Sequence, residues 1–256
     1  MIRDTLKTLL SMAVVLLIAM TTTKPSQAQS GHCSLALVLA IDASSSVDDE
    51  EYALQMKGLG YALLNQEVVE AMLSLGGMYI AAFEWNGQSN QKILFNWSHI
   101  SQRSHIDALV RKFAFHSRNT TRSPTAIGNA LGFAKRLLDR APPDCFRKVI
   151  DVSGDGEHND GIKPKDVYNL YDFSQIMVNG LVIAGAPAKP KTPYKDTEDY
   201  YRKNILHGPG SFLVLADGFD DFERAMKQKL LKEIVPGPVG LLKSDDLAGQ
   251  NNHAIP

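Results

Sequence analysis

Asp42, Ser44 and Ser46 alternate in the run Asp42-Ala43-Ser44-Ser45-Ser46, and two more oxygen-bearing residues, Thr125 and Asp155, lie far along the chain. Alternation lets an extended or turning backbone aim the first three side chains at one centre, with Ala43 and Ser45 pointing away. Two carboxylates and three hydroxyls make an all-oxygen donor set, which suits a hard cation such as Mg²⁺ or Mn²⁺ and not zinc or copper. Held by so few protein charges, the ion would stay electrophilic and take a carboxylate from outside as its last ligand. The plainer reading is a helix N-cap, because Ser and Asp also satisfy free amide groups.

The elements around these residues decide between the two readings. Leu35 to Ile41 is an unbroken apolar run ending at Asp42, the pattern of a parallel strand covered on both faces. Tyr52, Met56, Leu59 and Leu63 follow at helical spacing behind the acidic Asp48, Asp49 and Glu50. Met78–Phe83 and Gln91–Phe95 flank Asn86-Gly87 and predict a hairpin whose second strand lies at an edge. Helices are expected over Ile106–Phe113 and Ile127–Leu138, joined by a polar loop containing Thr125. Lys148–Val152 reads as a strand leading into Ser153-Gly154-Asp155-Gly156. After it come a helix over Val167–Val178, a strand over Leu181–Ala186, a short helix over Thr197–Ile205, a strand over Phe212–Leu215 and a closing helix over Phe219–Ile234. The pattern defines an α/β fold: a doubly wound, mainly parallel sheet with one antiparallel edge strand and helices on both faces. In such sheets ligands bind beyond the carboxyl ends of the strands, where all five oxygen-bearing residues would fall.

His158, Asn159 and Asp160 beside Asp155 invite a catalytic reading, but a polar loop after a strand explains them as well. No Gly-x-Ser-x-Gly turn and no metalloprotease histidine spacing occurs. Trp85 and Trp97 are expected to pack against the sheet.

Arg3 and Lys7 precede an apolar run from Leu9 to Met20 that is short for a membrane span, and Ser26-Gln27-Ala28 supplies a small-residue cleavage site. Residues 1–28 are therefore expected to be a signal peptide, residues 29–235 one domain, and residues 236–256, rich in Gly, Pro and polar side chains, a flexible tail. Removing the leader, which carries Arg3, Lys7 and Lys24 against Asp4, takes the net charge from −1 to −3. That mild acidity offers no footprint for nucleic acid, and no later segment is apolar for long enough to span a bilayer. Export, to the periplasm or beyond, would expose Cys33 and Cys145 to an oxidising compartment, where they either close a bridge or stay as two buried thiols.

Asp42-x-Ser44-x-Ser46 with Thr125 and Asp155 resembles the metal-ion-dependent adhesion site (MIDAS) of the von Willebrand factor type A (vWA) superfamily. Within it, Val149 to Gly156 and Thr125 to Gly128 resemble a group of exported bacterial proteins of unknown function. The resemblance covers residues 34–235. It implies metal contacts for Ser44, Ser46 and Thr125, with Asp42 and Asp155 acting directly or through water. Ala43 and Ser123-Pro124 stand where that pattern often has glycine. In the family fold the strands starting near Leu35 and Lys148 are parallel neighbours, which implies a Cys33–Cys145 disulfide on the face opposite the site. The function expected is a non-enzymatic, Mg²⁺-dependent module that captures a carboxylate of a protein partner. A metal-dependent hydrolase and a purely structural metal site are the alternatives.

Overall fold

The computed structural model describes residues 33–118, 123–142, 145–184 and 194–235. The expected leader, the tail, and residues 187–193 of the lysine-bearing stretch Pro187 to Asp196 lie outside the described residues. Among the described residues six strands form one sheet: β1 (Cys33–Asp42), β2 (Met78–Asn86), β3 (Asn90–Ile100), β4 (Cys145–Gly154), β5 (Ile176–Ile183) and β6 (Leu213–Ala216). Their order is β3-β2-β1-β4-β5-β6, and every pair is parallel except the β2–β3 hairpin. Gly87, at φ 53°, takes the left-handed turn that the Asn86-Gly87 pair announces.

Helices cover both faces, as doubly wound sheets require to bury two apolar surfaces. On one face lie α1 (Asp49–Leu64), α2 (Gln66–Ser74), α3 (Arg103–Ala114) and α7 (Phe222–Ile234), the last entered through a short 3₁₀ turn at Phe219–Asp221. The other face carries α4 (Ile127–Leu138), α5 (Pro164–Leu170) and α6 (Tyr194–Asn204). The central strand β1 alternates between the two layers: Leu35, Leu37, Leu39 and Ile41 enter the first, and Ala36, Val38 and Ala40 enter the second. Trp85 is fully buried, and Trp97 packs on the second layer with its Nε1 donating to the Leu137 carbonyl at 3.1 Å.

The fold class expected from the sequence is the one observed, with two local corrections. The segment expected as one helix over Val167–Val178 is split: α5 stops at Leu170, Asp172 accepts from the Ser174 amide in a tight turn, and β5 already begins at Ile176. A turn built on an Asp side chain ends the helix there, and the strand runs ahead of its expected start at Leu181. The second correction is α2, which follows α1 almost directly after Asn65, whose side chain accepts from the Glu67 amide.

The entry to α1 orients everything after the Asp42–Ser46 loop. Asp48 is its N-cap, accepting from the Glu50 and Glu51 amides, while the Glu51 carboxylate accepts from the Asp48 amide at 2.7 Å. This reciprocal box satisfies amides that the first helical turn leaves open. Replacing Asp48 by Ala is expected to cost about 1 kcal/mol, read as a lowered urea midpoint with an unchanged m value.

Cys33 and Cys145 sit directly opposite one another in the β1–β4 ladder and form a disulfide, with Cα atoms 4.3 Å apart. The bridge closes the amino ends of two parallel neighbours, opposite the sheet edge that carries Asp42 and Gly154.

Candidate functional site

The loops after β1 and β4 and the segment before α4 converge at the carboxyl ends of the central strands, and they bring the five oxygen-bearing residues together. Ser44 Oγ lies 3.1 Å from Ser46 Oγ, Thr125 Oγ1 donates to Ser44 Oγ at 3.4 Å, and Ser46 Oγ donates to Asp155 Oδ1 at 2.6 Å. Asp42 turns one oxygen back to accept from the Ser44 amide at 2.7 Å. Asp42, Ser44 and Thr125 are buried, whereas Ser46 and Asp155 are partly exposed and form the mouth of the cluster.

Several residues hold this arrangement that the sequence did not single out. Arg118 Nη2 donates to the carbonyls of Ala43, Ser44 and Val47, and its Nη1 meets Asp49 at 2.8 Å, so one guanidinium ties the serine loop to the start of α1. Gln55 Nε2 donates to the Asp42 carbonyl, and Asn86 Nδ2 to that of Ala43. Asn159, read as part of a polar loop, fixes Thr125 twice: its side chain accepts from the Thr125 amide at 2.8 Å, and its own amide donates to the Thr125 carbonyl at 2.9 Å. No sequence signal marks Arg118, which comes from a polar connection 72 residues beyond Ser46.

Beneath the mouth, Asp42 Oδ2 and the Tyr201 hydroxyl are both buried and make no hydrogen bond among the described residues. They face the backbone of Gly154, where an added Cβ would lie 2.5 Å from the Tyr201 oxygen and 2.8 Å from Asp42 Oδ2. Glycine is therefore the residue that permits this close approach. Burial, reinforced by the nearby charge of Asp155, pushes the Asp42 carboxyl up to about 8, against the opposing pull of the Ser44 amide. Tyr201 is likewise raised well above its ordinary value by burial and then by the two carboxylates.

This donor set does not bear out the expected metal centre. Among the described residues no group of three or more His, Cys, Asp or Glu side chains is placed to hold a metal ion. The cluster supplies two carboxylates, one of them sealed from solvent, and its hydroxyls are engaged with one another and with Asp155. Each carboxylate already spends an oxygen inside the cluster, Asp42 on the Ser44 amide and Asp155 on the Ser46 hydroxyl. The expected Mg²⁺ or Mn²⁺ cofactor is therefore withdrawn. With it go the adhesion-site function, the ion-bridged capture of a partner's carboxylate, and hydrolysis by a bound cation.

The doubly wound sheet, its antiparallel edge hairpin and the placement of the loops match the vWA type of Rossmann-like fold. Among solved structures, the chain is similar to proximal thread matrix protein 1 from the mussel byssus, at 14% identity and TM-score 0.57 over 79% of this chain and 49% of that one. It is similar at 13% identity and TM-score 0.57 to the pilus adhesin SpaC from Lactobacillus rhamnosus GG, over 80% of this chain and 31% of that one. A von Willebrand factor type A protein from Catenulispora acidiphila matches at 13% identity and TM-score 0.54, over 79% and 43% of the two chains. The chain thus spans half or less of each of these proteins, and the likeness is one of fold. Residues 32–238 match the family model described as Protein of unknown function (DUF1194), and the chain belongs to that family. No curated protein matches it in sequence.

Proposed function

We propose that the chain is an exported, non-enzymatic binding module, folded as one domain over residues 29–235, that docks a protein partner directly through the loops beyond β1 and β4. The observation carrying this reading is the polarity of the cluster: Asp42, Ser44 and Thr125 are sealed behind it, while Ser46 and the Asp155 carboxylate are partly exposed at its mouth. Ser45, Asp48, Glu50 and Glu157 are exposed on the same loops and at the start of α1, so the rim offers acceptors and negative charge. Such a surface favours a partner presenting amide, hydroxyl or basic groups, paired by hydrogen bonds and without an intervening ion. The fold likeness to a pilus adhesin and a byssal matrix protein supports a binding role outside the cytoplasm. The disulfide supports the same compartment.

A photo-crosslinking amino acid at exposed Ser45, introduced into the protein in its native host, should give a discrete protein adduct that persists in chelator. The adduct should fall at least about tenfold when Asp155 is replaced by Lys, which reverses the charge at the mouth. A crosslinker at Phe146, an exposed residue at the opposite end of β4, should give no such adduct. An adduct indifferent to Asp155→Lys, or one that disappears with chelator, would overturn direct docking at these loops.

A further inference from the structure

A second site lies away from the strand ends, between α1 and α3. The two helices touch where Gly60 meets Val110, a Cβ at Gly60 coming within 3.4 Å of the valine methyl. Around that contact they leave a groove of about 500 Å³, within the range of small-molecule sites. Its wall on α1 is a helical stripe of Ala53, Met56, Lys57, Gly60, Tyr61 and Leu64, and α3 contributes Val110, Phe113 and Ala114. Met56 and Phe113 are buried in the wall, whereas Ala53, Lys57, Tyr61 and Ala114 are exposed along its open side.

The polar groups of this groove all have one sign. Lys57, His116 and Arg118 are the charged or chargeable residues among those lining it, and the carboxylates that meet His116 and Arg118, Glu84 and Asp49, are not among the lining residues. Glu84 lies behind the wall, fully engaged: it accepts from the Tyr52 hydroxyl at 2.5 Å and sits 3.1 Å from His116 Nε2. Arg118 is stacked over the Tyr52 ring, 5.1 Å from its centroid, and committed to Asp49 and the serine loop. That leaves Lys57, with its ammonium 5.6 Å above the Tyr61 ring, as the cation poised at the open side. An apolar trough with a basic rim complements an apolar molecule that ends in an anion.

We propose that the groove between α1 and α3 binds a medium-chain alkyl carboxylate, its chain lying along Met56, Leu64, Val110 and Phe113 and its carboxylate paired with Lys57. This proposal does not rest on docking at the strand ends, although Arg118 borders both places. Sodium decanoate, kept below its micellar concentration, is the probe, and amide chemical shifts of the ¹⁵N-labelled full chain are the readout. Saturable shifts are expected at Gly60, Val110, Phe113 and Ala114. Decanol, with the same chain and no charge, should bind at least about fivefold more weakly, and Lys57→Glu should weaken decanoate by a similar factor. Ala114→Trp, at an exposed position, should fill the trough and abolish the shifts while leaving the remaining spectrum folded. The proposal is overturned by absence of saturable shifts in the native chain or by undiminished binding in Ala114→Trp. It is equally overturned if decanol matches decanoate and Lys57→Glu has no effect.

Discussion

Replacing Lys229 by Met is expected to destabilise the protein by about 3–5 kcal/mol, lowering its thermal midpoint by roughly 10 °C. Lys229 is fully buried on α7, with its Nζ 2.8 Å from Asp151 Oδ2 on β4 and 2.6 Å from Glu233 Oε1 one turn further along the helix. Asn179 on β5 donates to the same Glu233 oxygen at 3.0 Å, so the charges knit α7 to both strands beneath it. Removing only the cation leaves two acids in an apolar layer, and the uncompensated charge costs more than the ion pair contributes. A triple variant, Lys229→Met, Asp151→Asn and Glu233→Gln, should therefore recover most of the loss. Urea unfolding of the three proteins at one pH makes the comparison.

The same cluster sets a pH dependence. Burial pushes Asp151 from its ordinary 3.8 up to about 7, outweighing the downward pull of Lys229. Between those two values the native state holds a proton that the unfolded chain has released, so the contribution of Asp151 to stability falls as pH rises across that window and levels off above about 7. In Lys229→Met the downward pull is gone, the folded value rises further, and stability should keep falling above neutrality. Unfolding free energies that are flat across this range in the native chain would show that Asp151 is ionised in the fold.

The second large effect concerns the disulfide. Cys33→Ala with Cys145→Ala should lose about 2–5 kcal/mol, because the bridge spans a sequence separation of 112 and restricts the unfolded chain. Reduction of the native protein should reproduce the loss, and adding reductant to the double variant should change nothing. If the reduced and oxidised proteins unfold at the same denaturant concentration, pairing of β1 with β4 alone supplies the stability assigned to the bridge.

Much of the fold could be read from particular residues. The apolar run before Asp42 marked the central strand, Asn86-Gly87 marked the hairpin, and the resemblance placed Cys33 beside Cys145. Misreading began where local chemistry competed with periodicity. Apolar residues at 167, 173, 176 and 178 can be drawn on one helix only if the turn made by Asp172 and Ser174 is ignored. At the candidate site, the convergence of Asp42, Ser44, Ser46, Thr125 and Asp155 was legible from the loops that carry them. Their chemistry was not. Asp42 is a different group in water and beneath Ser44 and Gly154, where burial pushes its carboxyl up and one of its oxygens turns back to the Ser44 amide. Tyr201 and Arg118, which complete that environment, reach it from distant segments with no motif to announce them.

The Cys33–Cys145 bond also determines how the protein would carry a mechanical load. Tension applied between a point before Cys33 and a point after Ile234 crosses directly from β1 to β4 through the sulfur bridge. The intervening chain, roughly 390 Å if fully drawn out, stays slack. Asp42, Ser44, Ser46, Thr125 and the α1–α3 groove all belong to that unloaded ring, whereas Asp155 and α7 stand on the strained path. A pull would therefore act on the two halves of the strand-end cluster unequally, drawing on Asp155 while the serine loop remains at rest.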